Sequence, residues 1–289
     1  MNRKSHPPQS NSHPGAASSR TPGSPDSCPY APMACELESF RHIRHVRGFG
    51  AVDSTNSTAR ALGEAGDIPP GTLVVANSQR AGRGRLDHTW HSPAGQGIYA
   101  SLFLAPMVPL PQAHCVTLVT GLSVAQALAQ AHPALARHLD IKWPNDVLWQ
   151  GRKLGGILVE SSLQDNTLRH LVVGIGINVA QTAFPEDIRT RAVSVAQAAG
   201  TIVSRHDLLV RVLGCLDANL SRLGDGAWPD LRRQWEESSS FAHGRKVKFF
   251  ERGRPLLGTT CGLMDDGALG VQLRGGERKA LYHGEIFEY

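Results

Sequence analysis

Four clusters in the chain carry residue types and spacings that could do chemistry. The first runs Gln79-Arg80-Ala81-Gly82-Arg83-Gly84-Arg85, with Trp90 five residues on. Glycines alternating with arginines make a loop that bends sharply and can lay backbone N–H groups against an anion. The guanidinium groups add fixed charge and paired donors matched to phosphate or carboxylate. An indole nearby is suited to stacking on a purine. The plainer alternatives are an exposed turn or a Gly/Arg RNA-binding patch, and one short cluster within structured sequence argues against RNA.

The second cluster is Lys142-Trp143-Pro144-Asn145-Asp146, followed by Gly151-Arg152-Lys153-Leu154-Gly155-Gly156-Ile157-Leu158-Val159-Glu160. The chain has six lysines against 24 arginines, and two of the six stand here, eleven positions apart. A lysine is preferred where a compact ammonium must reach one oxygen in a confined site. Asp146 could hold a divalent metal or orient Lys153; the alternative is a hairpin with a surface Asp and a surface Lys. The third cluster, Gly174-Ile175-Gly176-Ile177-Asn178, reads as a buried strand whose glycines admit a flat ligand or simply pack. It lacks the third glycine and following helix of a dinucleotide fingerprint. The fourth, Asp53-Ser54-Thr55-Asn56, is a helix N-cap that could also present free N–H groups to a polar headgroup.

These clusters need elements to hold them. Asp53-Ser54-Thr55 before Ala59, Ala61 and Leu62 predicts a capped helix. Strands are expected at Thr72–Ala76, Ile98–Leu104, near Ile141, and at Val147–Trp149, Ile157–Val159 and Leu171–Ile177. His114 to Ala131 predicts a helix with one apolar face formed by Leu118, Leu122, Ala125 and Leu128. Further helices are expected at Val193–Ala199, His206–Leu223 and Leu231–Glu236. Together these make an α/β or α+β domain with a mixed sheet over residues 39–240. Beyond Ser240, short runs separated by Gly and Asp-Gly turns predict a small β-barrel or sandwich over residues 241–289. At that size it is expected to dock on the main domain.

Composition excludes several classes. The net charge of +5 on 289 residues is diffuse, with +2 in the first 35 and +2 in the last 49, so no charge-dense arm marks a nucleic-acid binder. No run of about 18 uncharged apolar residues exists. The five cysteines form no CxxC pair, so neither a disulfide framework nor a zinc site is indicated, and a reduced, cytoplasmic setting is expected. Residues 1–38 read as a disordered tail: the first 35 hold seven of the 18 prolines and seven serines, and almost no large apolar residues. Met33 is a candidate start.

Taken in order, the clusters resemble the biotin protein ligases. That family's pattern is an Asp-Ser-Thr-Asn helix start, Gln-x-Ala-Gly-Arg-Gly-Arg with a nearby Trp, Lys-Trp-Pro-Asn-Asp, Lys-Leu-x-Gly-Ile-Leu-Val-Glu, and Gly-x-Gly-Ile-Asn. All five occur here, and the match spans roughly residues 48–289. The resemblance implies a mixed-sheet catalytic domain of the biotin/lipoate ligase type followed by a small SH3-like β-barrel. It implies two steps: biotin and ATP give biotinyl-5′-AMP, which then acylates a lysine of a biotin carboxyl carrier protein or domain, of acetyl-CoA carboxylase or a related carboxylase. No enzyme nucleophile is then needed.

The resemblance assigns biotin to Ser54, Thr55, Asn56, Gln79, Arg83, Gly84, Arg85 and Lys153. It assigns the nucleotide to Arg85, Trp90, Asn145, Lys153 and Asn178, catalysis to Lys153, Arg85, Lys142 and Asp146, and Mg²⁺ to Asp146. It implies a cytoplasmic monomer or homodimer with no membrane partner. Two departures stand out. Leu86-Asp87-His88-Thr89 replaces a Gly-Arg pair common before the Trp, which puts a negative charge into the loop and is expected to loosen adenylate retention unless His88 substitutes for an arginine contact. Some members also carry a winged-helix domain ahead of the Asp-Ser-Thr-Asn motif. Here 52 residues precede Asp53, 35 of them Pro/Ser-rich, so no operator binding or repression is expected. The rival readings are a lipoyl or octanoyl transferase, disfavoured by Lys-Trp-Pro-Asn-Asp, and a non-catalytic ligand-binding regulator, disfavoured by the retention of Lys142 and Lys153.

Overall fold

The computed structural model describes Met33, residues 37–251, 253–282, Gly284 and residues 286–288. The chain runs β1 His45–Phe49, α1 Thr55–Ala65, β2 Thr72–Ala76, β3 Gly97–Leu104, α2 Cys115–Ala131, β4 Leu139–Lys142, β5 Asp146–Trp149, β6 Arg152–Gln164 and β7 Thr167–Asn178. Three helices follow: α3 Val195–Ala199, α4 Arg205–Gly224 and α5 Trp228–Glu237. The strands β8 His243–Glu251, β9 Arg254–Leu263, β10 Leu269–Leu273, β11 Arg278–Leu281 and β12 Phe287–Glu288 complete it.

The first seven strands form one sheet in the order β1-β2-β3-β7-β6-β5-β4. Only the β1–β2 pair is parallel, so the sheet is mixed as expected. β1 is an addition: its sequence, His-Val-Arg-Gly-Phe, shows too short an alternation to announce a strand. The last five strands form an antiparallel sheet, β11-β10-β9-β8-β12, consistent with the small SH3-like unit.

Side chains alternate across a strand, so each strand of the large sheet serves two faces. On one face Ile157, Val173, Ile175 and Ile177 join the main apolar cluster with α2 and α4. On the other, Val74, Phe103 and Val172 pack under Ala59 of α1 in a smaller cluster. That second cluster ends where the β6 and β7 side chains become Gly156, Gly174 and Gly176.

Two expectations need correction. Helix α2 does not bury a single stripe. Besides Leu118, Leu122, Ala125 and Leu128, it buries Cys115, Val116, Val119, Thr120, Gly121, Ser123, Val124 and Ala127. It lies between the sheet, α4 and the C-terminal strands, so small and hydroxylated residues are covered too; Thr120 and Ser123 return their hydroxyls to carbonyls one turn back. The second correction concerns the tail. Met33 and Leu37 are buried in the main cluster, so the core draws on residues that composition assigns to a tail. The other residues of 1–36 lie outside the described residues, as do Cys28 and Cys35.

The C-terminal sheet shares its core with the large one. Val247, Phe249, Leu263, Leu269 and Val271 belong to the same cluster as α2. The Leu263 N–H donates to Glu236 Oε1 at 2.6 Å, and Arg232 pairs with Asp265 at 2.6 Å. The Asp266-Gly267 turn sits on the start of α2, where Cys115 Sγ lies 3.3 Å from the Asp266 carbonyl. Burial, aided by the Asp266 charge, pushes the Cys115 thiol up to about 12. Among the described residues Cys115, Cys215 and Cys261 are free thiols, and no helix is long and apolar enough to cross a membrane.

Candidate active site

The Asp-Ser-Thr-Asn motif begins a helix as its residue types require. Ser54 has extended backbone (φ −152°, ψ 133°) and its side chain accepts from the Ser57 N–H. The cap points Thr55 and Asn56 into the sheet. Gln79 Oε1 accepts from the Thr55 N–H at 2.8 Å and from the Thr55 hydroxyl at 3.1 Å. Gln79 Nε2 donates to Ser92 Oγ at 2.8 Å. Ser101 Oγ, on β3, lies 2.7 Å from Thr55 Oγ1 and 2.6 Å from Asn56 Oδ1. Asn56 Nδ2 donates to the Leu158 carbonyl at 3.1 Å and to Glu160 Oε2 at 2.9 Å. Gly174 makes room for this amide, because a Cβ there would overlap Asn56 Oδ1. Thr55, Asn56 and Gln79 thus share one polar corner with Ser101, and Ser54 caps the helix beside them.

The glycine–arginine loop folds back on itself. Arg83 bridges Thr89, the Gly84 N–H donates to the His88 carbonyl at 2.7 Å, and the His88 N–H donates to the Arg85 carbonyl at 3.0 Å. Leu86 and Asp87 hold φ of 51° and 59°, the two left-handed positions of a two-residue turn. Asn or Gly usually fills such positions, and a leucine there costs on the order of 1 kcal/mol. The departure at residues 86–87 is therefore the tip of the loop.

Arg85 reaches back. Its Nη1 donates to Asn145 Oδ1 and to the Gly284 carbonyl, each at 3.3 Å. Asn145 in turn donates from Nδ2 to the Ile157 carbonyl at 2.9 Å. Arg85, Trp143, Pro144, Leu158 and Tyr282 are among the residues that line a cleft of about 200 Å³ between the large sheet and the C-terminal strands.

Lys153 stands over the glycines. Its ammonium lies 2.7 Å from Asp146 Oδ1 and 5.4 Å from the Trp90 ring centre. Asp146 Oδ1 is buried, and the Lys153 ammonium is its charged partner. Trp90 lies flat on the sheet: a Cβ at Gly176 would come within 2.6 Å of its Cε2, and one at Gly156 within 3.1 Å of its Cζ3. The three glycines on one face of β6 and β7 thus make a shelf. Trp90, Lys153 and Asp146 stand at one end and the Thr55–Asn56–Gln79 corner at the other. A flat polar ligand on that shelf would meet hydroxyls and amides at one end and a cation at the other.

Two further predicted residues make other contacts in the folded chain. Asn178 is buried; its Nδ2 donates to the carbonyls of Lys153 (3.4 Å) and Val193 (3.3 Å), and its Oδ1 accepts from Gln181 (3.1 Å). Its side chain holds the Lys153 strand to the Val193 segment. Lys142 sets its ammonium 5.7 Å from the centre of the Phe241 ring. Sequence reasoning also missed Glu160. It pairs with Arg60 and takes Arg83 through both oxygens, at 2.8 Å and 3.3 Å. Burial pushes the Glu160 carboxyl up. Hydrogen bonds from Asn56 and Arg60 and the charges of Arg60 and Arg83 outweigh this and hold it below the usual carboxylate range. Its parity with Gly156 along β6 was the available signal, since residues two apart share a face.

The geometry has counterparts. Residues 49–178 match the profile of the biotin/lipoate A/B protein ligase family. The chain is 33% identical to the bifunctional ligase/repressor BirA of Bacillus subtilis over 245 residues, 84% of this chain and 74% of that protein. It is 36% identical to a biotin–[acetyl-CoA-carboxylase] ligase of Paracoccus denitrificans over 189 residues, 63% of this chain and 76% of that one. Among solved structures, the biotin protein ligase from Aquifex aeolicus in complex with biotin and ATP superimposes with a TM-score of 0.72 at 31% identity, covering 85% of this chain and 98% of that one. Matched over most of its length by these proteins, the chain belongs to the biotin protein ligase family.

Proposed function

We infer that this chain is an ATP-dependent ligase that joins biotin to a lysine of a carrier protein. A biotin carboxylate oxygen attacks the α-phosphorus of ATP and pyrophosphate leaves. The carrier lysine, as free amine, then attacks the acyl carbon of biotinyl-5′-AMP; AMP leaves and the amide forms. The observation that carries this reading is Lys153, set beside Asp146 and over the glycine shelf at the end away from the polar corner.

In this reading the corner of Ser54, Thr55, Asn56 and Gln79 takes the ureido end of biotin, with Arg83 and Gly84 of the loop beside it. Lys153 then faces the carboxylate and α-phosphate, where a fixed ammonium stabilises charge that grows during both transfers. Arg85, Trp90 and Asn145 serve the nucleotide, Asn178 supports it by holding the Lys153 strand, and Lys142 serves the incoming carrier. The network around Thr55 and Asn56 is already formed, so little reorganisation is needed on binding. Mg²⁺ is expected to neutralise phosphate charge. Among the described residues no group of three His, Cys, Asp or Glu gathers to cage a metal. A single carboxylate, Asp146, already paired with Lys153, fits an ion held mainly by nucleotide phosphates and water. The carrier is assigned to a biotin-dependent carboxylase, the setting to the cytoplasm, and only the ligase half of the Bacillus relative's two activities to this chain.

The test is to incubate the chain with ATP, Mg²⁺, biotin and a purified carrier domain, and to follow pyrophosphate and streptavidin-reactive carrier. Biotin-dependent pyrophosphate release with carrier labelling is expected. Release driven by lipoate in place of biotin would overturn the substrate assignment, and ligand binding without release would return the chain to a regulator.

A further inference from the structure

Glu160 lies where three segments of the site meet: the first turns of α1, strand β6 and the glycine–arginine loop. Its side chain is 17% exposed. Oε2 accepts from Asn56 Nδ2 at 2.9 Å and from Arg83 Nη1 at 3.3 Å, while Oε1 accepts from Arg83 Nη2 at 2.8 Å and pairs with Arg60. A guanidinium–carboxylate fork of this kind fixes direction as well as distance. Arg83 Nη1 also donates to Ser57 Oγ at 3.3 Å, so both terminal nitrogens of the guanidinium are held by α1 and β6. This bears on the role that resemblance assigns to Arg83. A side chain so held ties its loop to α1 and β6.

We propose that Glu160 is a positioning residue that, through Arg83 and Asn56, straps the glycine–arginine loop over the biotin end of the shelf and so sets the affinity for biotin. The assignment of that end to biotin rests on the function inferred above. The strap itself is a property of the folded chain. Arg60 provides the internal control, since it pairs with the same carboxylate from within α1 and, among the described residues, makes no hydrogen bond or ion pair with the loop.

The experiment uses the full chain as wild type, Glu160→Gln, Arg83→Met, the double variant and Arg60→Met. The KM for biotin, the KM for ATP and kcat are read from pyrophosphate release, and melting temperature is read alongside. Limited trypsin digestion at Arg80 and Arg85 reports loop opening without any ligand. Glu160→Gln and Arg83→Met are each expected to raise the KM for biotin about tenfold, with the KM for ATP and kcat within about twofold. Both should speed cleavage several-fold. The double variant is expected to be no worse than either single one, the signature of a coupled pair. Arg60→Met should lower the melting temperature and leave cleavage and the KM for biotin in place. Additive effects in the double variant, equal changes in both KM values, or a loss of melting temperature alone would overturn the proposal. Should Glu160→Gln fail to fold, Arg83→Met, half-exposed on the loop, carries the same test. If wild type releases no pyrophosphate with biotin, the inferred function falls, while the trypsin arm still decides whether the strap exists.

Discussion

The two faces of the β6–β7 pair are built from alternate residues of the same strands and have opposite designs. Ile157, Val173, Ile175 and Ile177 point one way and are filled in by α2 and α4 until almost nothing is exposed. Gly156, Gly174 and Gly176 point the other way, and the space their missing side chains leave is taken by Trp90, Asn56 and Lys153. The four side chains named on the first face are apolar and bring no hydrogen-bonding groups to satisfy. The other has little volume, and its polar side chains meet one another or the backbone. A single sheet can thus be rigid on one side and receptive on the other, because a period of two lets neighbouring residues obey different rules. Cavities on the packed face are expected to reduce stability, whereas changes on the shelf are expected to alter activity first.

That contrast can be broken deliberately. The largest effect is expected at Lys153: Lys153→Ala should reduce biotin-dependent pyrophosphate release by about 10²–10³-fold, the usual cost of losing one fixed charge-stabilising group. Its melting temperature should hardly move, as the side chain is partly exposed. An unchanged release rate would remove the lysine from the mechanism. On the packed face the reverse is expected. Leu122→Ala should cost about 2–5 kcal/mol in denaturant unfolding while the molecules that remain folded keep their KM values, since Leu122 is buried within α2 away from the shelf.

Gly176→Ala lies between these extremes. The added methyl meets Trp90 at 2.6 Å, and overpacking of this kind costs about 1–3 kcal/mol. Trp90 is expected to lift off, which intrinsic fluorescence would report, with activity falling about tenfold. No fluorescence change would show that the shelf does not support the indole.

The smallest effect concerns the join between the two sheets. Burial lowers the His114 pKa, and the charge of Asp266 raises it by less. A group whose folded pKa is depressed contributes stability that is full above its unfolded value and is lost as pH falls through the folded one. The His114 contact with the Asp266–Gly267 turn and Tyr282 should therefore weaken below about pH 6.5. Melting curves of wild type and His114→Gln should converge between pH 8 and pH 5. A constant gap would rule out the imidazole as the cause.

Much of this was legible before the fold was known. Ser54 announced a cap through its hydroxyl and the apolar spacing behind it. Thr72–Ala76 announced a strand through its β-branched run, and the glycines and lysines marked a candidate site through residue types unusual at such density. Local chemistry decides these features, and local chemistry is what a sequence displays. Other features depended on residues far apart in the chain. Arg83 meets Glu160 across 77 positions and Asn56 meets it across 104. Neither pairing follows from spacing, because the strand order that unites them, with β7 between β3 and β6, is chosen by the packing of the whole sheet. Asn178 carries a polar side chain at the end of a glycine strand and reads as a ligand contact, yet its donors go to backbone carbonyls that only the folded chain brings near. Met33 and Leu37 read as tail because their neighbours are Pro- and Ser-rich, yet the core accepts them. The sequence by itself determined which chemistry this protein could attempt. Tertiary structure decided which of those side chains face the shelf and which hold it in place, since facing is a matter of long-range contacts that no local pattern encodes.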